Sequence, residues 1–186
     1  MHAMPSKTQR VEDAVEQFES PLVRFCARIT GDPEEARDIV QEAFVSLVEA
    51  LDGVPEQDTG AWLYKCCYNR SITVLRKRGR RRCCDADVAL QTTPSDEPSP
   101  AEEAAAQDDR ASVLRVLNRL PPEQKAVVQL RLDGFKYSEI AEIMNKPTPT
   151  VGYLLHVAIK TLRNQFRRPT LENQQAMKEK HETREQ

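Results

Sequence analysis

Between residues 85 and 109 the chain carries eight Asp and Glu, no Lys or Arg, and three prolines (Pro94, Pro98, Pro100) among Ser, Thr and Ala. Such a segment has too little apolar surface to offset the entropy of ordering it, so it cannot build a core. Whatever folds must therefore fold on either side, in the 84 residues before it or the 77 after it. Pieces of that size suit small helical modules. Aromatics are only 5% of the chain, so each core must rest mainly on Leu, Ile, Val and Ala.

Charge follows the same division. The net charge of −2 conceals blocks: −8 over residues 1–59, +8 over 60–84, −8 over 85–109, +7 over 110–168, and −1 in the tail. Two basic blocks on either side of an acidic one imply two polyanion-binding surfaces on a string. No apolar run is long enough to cross a membrane, and Met1 to Arg10 lacks the apolar stretch of a secretory signal. A cytoplasmic location is expected. The five cysteines (Cys26, Cys66, Cys67, Cys83, Cys84) form neither a disulfide framework nor a zinc-type spacing, and reduced thiols are expected. The three histidines are scattered and the densest acids lie in the linker, so no catalytic residue, metal site or cofactor is expected.

Apolar periodicity places helices throughout. Val11, Val15, Phe18, Leu22, Phe25 and Ile29 form one stripe, with Ser20-Pro21 a break point and Gly31 an end. Asp32-Pro33-Glu34-Glu35 starts a second helix, with Asp32 as cap and Glu35 completing a capping box. Ala36, Ile39, Val40, Ala43, Phe44, Leu47, Val48 and Leu51 share its core face, leaving Asp38, Gln41 and Glu42 outside. After a loop, Asp52 to Thr59, a third helix is predicted from about Gly60 to Arg78, with basic residues gathering at its end.

Beyond the linker, Leu114, Leu117 and Leu120 belong to a short helix that stops at Pro121-Pro122. Another runs to Gly134, a short one covers Tyr137 to Met144, and Asn145-Lys146-Pro147 turns the chain. Thr148-Pro149 then caps and opens a last helix through Val151, Leu155, Ala158 and Leu162. This is the sequence form of a helix-turn-helix. The predicted fold is all-α: two small helical domains, 8–84 and 110–168, an acidic flexible linker, 85–109, and a polar tail, 169–186.

Three stretches carry a family resemblance. They are Gly31-Asp32-Pro33-Glu34-Glu35-Ala36-Arg37-Asp38-Ile39-Val40-Gln41-Glu42-Ala43-Phe44; then Ala61-Trp62-Leu63-Tyr64-Lys65 with Asn69 and Leu75-Arg76-Lys77-Arg78; then Leu120-Pro121-Pro122-Glu123-Gln124 with Gly134-Phe135-Lys136-Tyr137-Ser138-Glu139-Ile140-Ala141-Glu142-Ile143. In this order they resemble the extracytoplasmic-function sigma factors of bacteria. The resemblance implies a non-enzymatic RNA polymerase sigma factor directing promoter recognition, DNA opening and transcription initiation. Domain two would bind the clamp helices of core RNA polymerase through Asp38, Gln41 and Glu42. The Asp52–Thr59 loop would hold a flipped base of the minus-ten element, an extrusion costing a few kcal/mol.

On the third helix, Asn69 would meet a base edge and Arg70, Arg76, Lys77 and Arg78 would meet phosphates. Trp62 is expected in the core. Domain four would dock on the polymerase flap and face the minus-thirty-five element with its last helix. That helix departs from the family pattern. Gly152, Leu154 and Val157 occupy an outer face where arginines and lysines are usual, leaving Thr150, Tyr153, His156 and Lys160 as candidate DNA contacts. Weak, poorly discriminating DNA binding is expected there, or an apolar face for an activator or anti-sigma factor. The alternative function is a helix-turn-helix transcriptional regulator acting independently of core polymerase. Such proteins usually dimerise, and the sequence offers no clear dimerisation helix.

Overall fold

The computed structural model describes residues 6–84 and 114–164, and every regular element in them is helical. The linker 85–109, residues 110–113 and 165–168, and the tail 169–186 lie outside the described residues.

Helix α1, Lys7–Thr30, begins where Ser6 Oγ accepts from the Gln9 N–H at 3.1 Å. It runs straight through Ser20-Pro21, so the expected break does not occur. An interior proline costs about 3 kcal/mol. A break there would unseat Leu22 and Phe25, both fully buried, each contributing roughly 1.5–3 kcal/mol. Packing wins. Gly31 ends α1 at φ 76°, its N–H donating to the Ala27 carbonyl at 2.9 Å.

Helix α2, Pro33–Ala50, is capped as expected: Asp32 Oδ1 accepts from the N–H groups of Glu34 and Glu35 at 3.0 and 3.2 Å. The reciprocal half of the capping box is absent. The Asp32 N–H donates instead to Thr30 Oγ1, and Glu35 is drawn to Arg78. Ile39, Val40, Ala43, Leu47 and Leu51 are buried on one face. Val48, expected among them, is 57% exposed. At 100° per residue it stands well round the helix from Leu47, beside Gln41.

Two single 3-10 turns, Leu51–Gly53 and Glu56–Asp58, shape the connection to α3. Arg10 pins it to α1, its guanidinium donating to the Val54 and Leu51 carbonyls at 2.7 and 3.5 Å. Helix α3 spans Thr59–Cys84, six residues beyond the expected end. Gly79 costs about 1 kcal/mol there, too little to stop a helix that good helix-forming arginines continue. Near its start, a Cβ on Gly60 would lie 2.8 Å from the Phe18 ring, so any other residue there would require that ring to shift. Leu63, Cys67 and Ser71 complete the buried seam of the three-helix group.

The second group comprises α4, helical over 114–118, α5, Pro122–Leu132, α6, Tyr137–Met144, and α7, helical over 148–164. Asn145 at φ 50° ends α6 in the left-handed conformation that asparagine tolerates. Thr148, expected to cap α7, lies instead inside its first turn. The Pro147 carbonyl accepts from the N–H groups of Thr150 and Val151 at 2.9 and 3.2 Å.

The two groups also touch, α3 packing against α6 and α1 against α5, so that their buried residues form one continuous apolar cluster. At the junction Tyr64, 3% exposed, stands edge-on between Phe25 and Phe135, with ring centroids 5.1 and 4.9 Å away.

Candidate polymerase-facing and nucleic-acid-facing surfaces

Asp38, Gln41 and Glu42 all lie exposed on α2 and line one shallow cleft with Val45, Ser46 and Arg70. Val45 and Val48, 61% and 57% exposed, give this face an apolar component that sequence reasoning missed. An acidic and apolar patch on one helix is suited to a protein partner more than to water alone. Counting Val45 by angle around α2, at the side of Asp38, would have found it.

Helix α3 sorts the residues expected to meet DNA into two sets. Asn69 and Arg76 are exposed and share one face with Lys65, Thr73 and Arg80 at helical spacing. Lys77 is exposed beside that face. Arg70 is turned the other way: its guanidinium donates to Glu42 Oε2 at 3.1 Å and to Ser46 Oγ at 2.8 Å, tying α3 to α2. Arg78 is tied more firmly. It donates to the Thr30 carbonyl at 3.1 Å and pairs with Asp32 and Glu35 at 3.0 and 2.8 Å. It thus clasps the end of α1, the cap of α2 and the body of α3.

The Asp32 carboxyl is held below the usual carboxylate range, first by the Glu35 N–H, then by the Glu34 N–H and Arg78. Lys65 was not among the residues expected to meet DNA, though its spacing from Asn69 and Arg76 places it on this face with Arg80 of the basic run. Trp62 is half-buried and packs against the core.

On α7, Tyr153, His156 and Lys160 are exposed along one face, and Thr150 is half-buried near its start. Tyr153 and Ile159 are 67% and 46% exposed, whereas Gly152, Leu154 and Val157, expected on the outer face, are half-buried, Leu154 packing against the core. Val151, Leu155 and Ala158 are buried beneath that face.

Buried titratable groups gather between the helices. Burial, then the Asp133 carboxylate, pushes the Tyr64 phenol far up. Burial and then Glu123 push Tyr68 up to about 12. Cys67, hydrogen-bonded to Cys26 in the core, is held well above the ordinary thiol range and stays protonated. Cys26, Cys66 and Cys67 are free thiols. Among the described residues, no helix is long and apolar enough to cross a membrane.

A three-helix group with a basic face, followed by a helix-turn-helix group, defines a nucleic-acid-binding class of protein. Family models agree: Sigma-70 region 2 matches residues 14–81 and Sigma-70 region 4 matches residues 110–162. The chain is 27% identical over 164 residues to the ECF RNA polymerase sigma factor SigW of Bacillus subtilis, covering 83% of this chain and 88% of that one. It is 27% identical over 177 residues to the ECF RNA polymerase sigma factor SigE of Mycolicibacterium smegmatis, covering 94% of this chain and 66% of that one. In fold it is similar to the sigma factor RpoE of Bartonella quintana, solved in complex with the anti-sigma factor NepR. That likeness has a TM-score of 0.68 at 21% identity, over 84% of this chain and 96% of that one. The chain belongs to the extracytoplasmic-function group of sigma factors.

Proposed function

We propose that this chain directs core RNA polymerase to promoters and opens the minus-ten element, acting in the cytoplasm by binding and without covalent chemistry. The observation that carries this reading is the pairing of two surfaces on one three-helix group. An acidic and apolar face on α2 stands beside a face of α3 that combines Asn69 with exposed cations. The first suits a protein partner and the second a DNA strand.

In this reading Asp38, Gln41 and Glu42 meet the clamp helices of the largest subunit, with Val45 and Val48 adding apolar contact. The single strand lies along α3. Asn69 reads a base edge, Arg76 and Lys77 neutralise phosphate, and the Asp52–Thr59 loop cradles a flipped base. Arg70 and Arg78 position α3 against α2 and leave phosphate to their neighbours. Domain four docks on the polymerase flap and lays Thr150, Tyr153, His156 and Lys160 near the minus-thirty-five element. An anti-sigma factor or an activator is a further partner for the apolar side of α7.

Run-off transcription with core polymerase tests this. The wild-type chain is expected to give a discrete start site, and the Asp38→Lys/Glu42→Lys variant to lose core binding by at least about tenfold, as loss of charge complementarity at an interface predicts. Its helical content should not change, because Asp38 is exposed and loss of the Glu42 bridge leaves Arg70 its bond to Ser46 Oγ. Normal core binding by the double variant would remove this face from the mechanism.

A further inference from the structure

The exposed part of the Asp52–Thr59 loop hangs between two buried anchors. Leu51 and Val54 sink their side chains into the core on one side, and Thr59 is buried on the other. Pro55, Glu56, Gln57 and Asp58 stand in solvent between them. This stretch closes on itself: the Pro55 carbonyl accepts from the Asp58 N–H at 3.0 Å and from Thr59 Oγ1 at 3.3 Å. It is a compact turn, and the direction it faces is set where it leaves Val54.

That direction is fixed from α1. The Arg10 guanidinium donates to the Val54 carbonyl at 2.7 Å, at the short end for such a bond, and more loosely to the Leu51 carbonyl at 3.5 Å. The Val54–Pro55 peptide is trans and planar, so holding its oxygen also holds the Pro55 nitrogen. The next torsion is not free either, because the proline ring keeps φ at −58°. One charged side chain on another helix thus specifies the plane from which the turn springs. Arg10 Nε is buried with no hydrogen-bond partner among the described residues, so the side chain bears a desolvation cost while its other nitrogens hold these carbonyls. Lys7, three residues earlier, reaches Asp52 at 2.6 Å, but both are exposed and such a pair holds little.

We propose that Arg10 is a positioning residue that sets base specificity in the minus-ten element, acting through the Val54 carbonyl to aim the Pro55–Asp58 turn at the extruded base. The proposal rests on the promoter-opening function above, in which this loop receives that base. Arg10 itself touches no DNA. It determines which groups of the turn meet the base edge. A site with its polar groups held in place rejects a wrong base because those groups would be left unpaired. A turn released to face several ways loses that rejection, since its geometry is no longer fixed by supporting contacts.

Run-off transcription by the full chain with core polymerase, on a promoter library randomised through the minus-ten element, tests this. Arg10→Met keeps an aliphatic stem and deletes every donor. It should cut the preference for the favoured base roughly tenfold at one position, the scale of a hydrogen bond from a charged group. Other positions should stay within about twofold, as expected for sites that do not share the contact. Arg10→Lys restores a single cationic donor and should recover part of the preference. Lys7→Met should change none of it. Core affinity and melting temperature of Arg10→Met should stay near wild type. Should that variant fold poorly, Pro55→Ala, which releases φ at an exposed position, carries the test and should relax the preference at one position in the same way.

An unchanged preference at every position, an equal loss at all of them, or no recovery in Arg10→Lys would overturn the role given to Arg10 and leave the sigma reading standing. If no form of the chain initiates with core polymerase, the sigma reading itself falls and takes this role with it.

Discussion

Helices α3 and α7 both present an exposed face on the far side of a buried seam, yet the two faces are chemically opposed. The α3 face carries Lys65, Asn69, Thr73, Arg76 and Arg80. The α7 face carries Tyr153, His156 and Ile159, with Lys160 and Arg163 only towards its end. One can neutralise a phosphate chain at regular intervals and still offer an amide to a base. The other has few charges to place and few hydrogen-bonding groups with which to discriminate. The difference teaches that a helix-turn-helix outline and a DNA-reading surface are separable. The outline is specified by Asn145, Val151, Leu155 and Ala158, none of which touches the outer face.

The largest expected effect comes from removing the α3 cations. Replacing Lys65, Arg76 and Arg80 together by Gln should weaken holoenzyme binding to any promoter and lower the salt slope by up to about 3, at roughly 0.9 or less for each phosphate left without its cation. Replacing Tyr153 and His156 by Ala should change the same slope by less than about 1. Titration of promoter binding against salt measures both, and equal slopes for the two variants would dissolve the contrast between α3 and α7. A smaller and local effect is expected from Asn69→Ala. It should relax preference at one position of the minus-ten element by about 1–3 kcal/mol and leave the salt slope alone. Selection from a promoter library reads this, and an unchanged base preference would assign the base edge to another side chain.

The smallest effect on DNA is expected from Arg78, although it lies in the densest basic run. Its guanidinium is occupied by Thr30, Asp32 and Glu35, so Arg78→Ala should lower stability far more than promoter affinity. The pH dependence has a definite sign. The Asp32 carboxyl is held low when folded, so its contribution is present above the ordinary carboxylate range and is lost as pH falls through the depressed value. The gap in denaturant midpoint between wild type and Arg78→Ala should therefore be wide at neutral pH and narrow as pH falls below the ordinary carboxylate range. A gap independent of pH would mean that Arg78 acts by packing.

Much of this was legible in local sequence because the forces concerned are local. Gly31-Asp32-Pro33 announced a helix end, a cap and a first turn, and each is where its chemistry requires. Asn145 and the apolar spacing of α5, α6 and α7 did the same for the second group. The misreadings arose where tertiary packing overrides local preference. Pro21 stays inside α1 because Leu22 and Phe25 are buried beside it, and Glu35 leaves its capping box for Arg78. Arg70 and Arg78 pair with carboxylates on a neighbouring helix, which a one-dimensional run of charge does not show. Tyr64 was hidden for a related reason. Within its motif it is one more residue of an amphipathic helix, and its partners, Asp133 and Phe135, stand far along the chain, with 69 positions separating Tyr64 from Asp133.

The connection between α2 and α3 has a consequence in entropy. Arg10 holds the carbonyls of Leu51 and Val54, Lys7 reaches Asp52 at 2.6 Å, and Thr59 Oγ1 returns to the Pro55 carbonyl at 3.3 Å. Fixing one residue's backbone costs roughly 1–2 kcal/mol, a loss that folding has already absorbed for these positions. In the function proposed above, a base leaving the duplex stack would therefore meet a connection that need not be ordered first, and more of the binding free energy would be left to hold the base out.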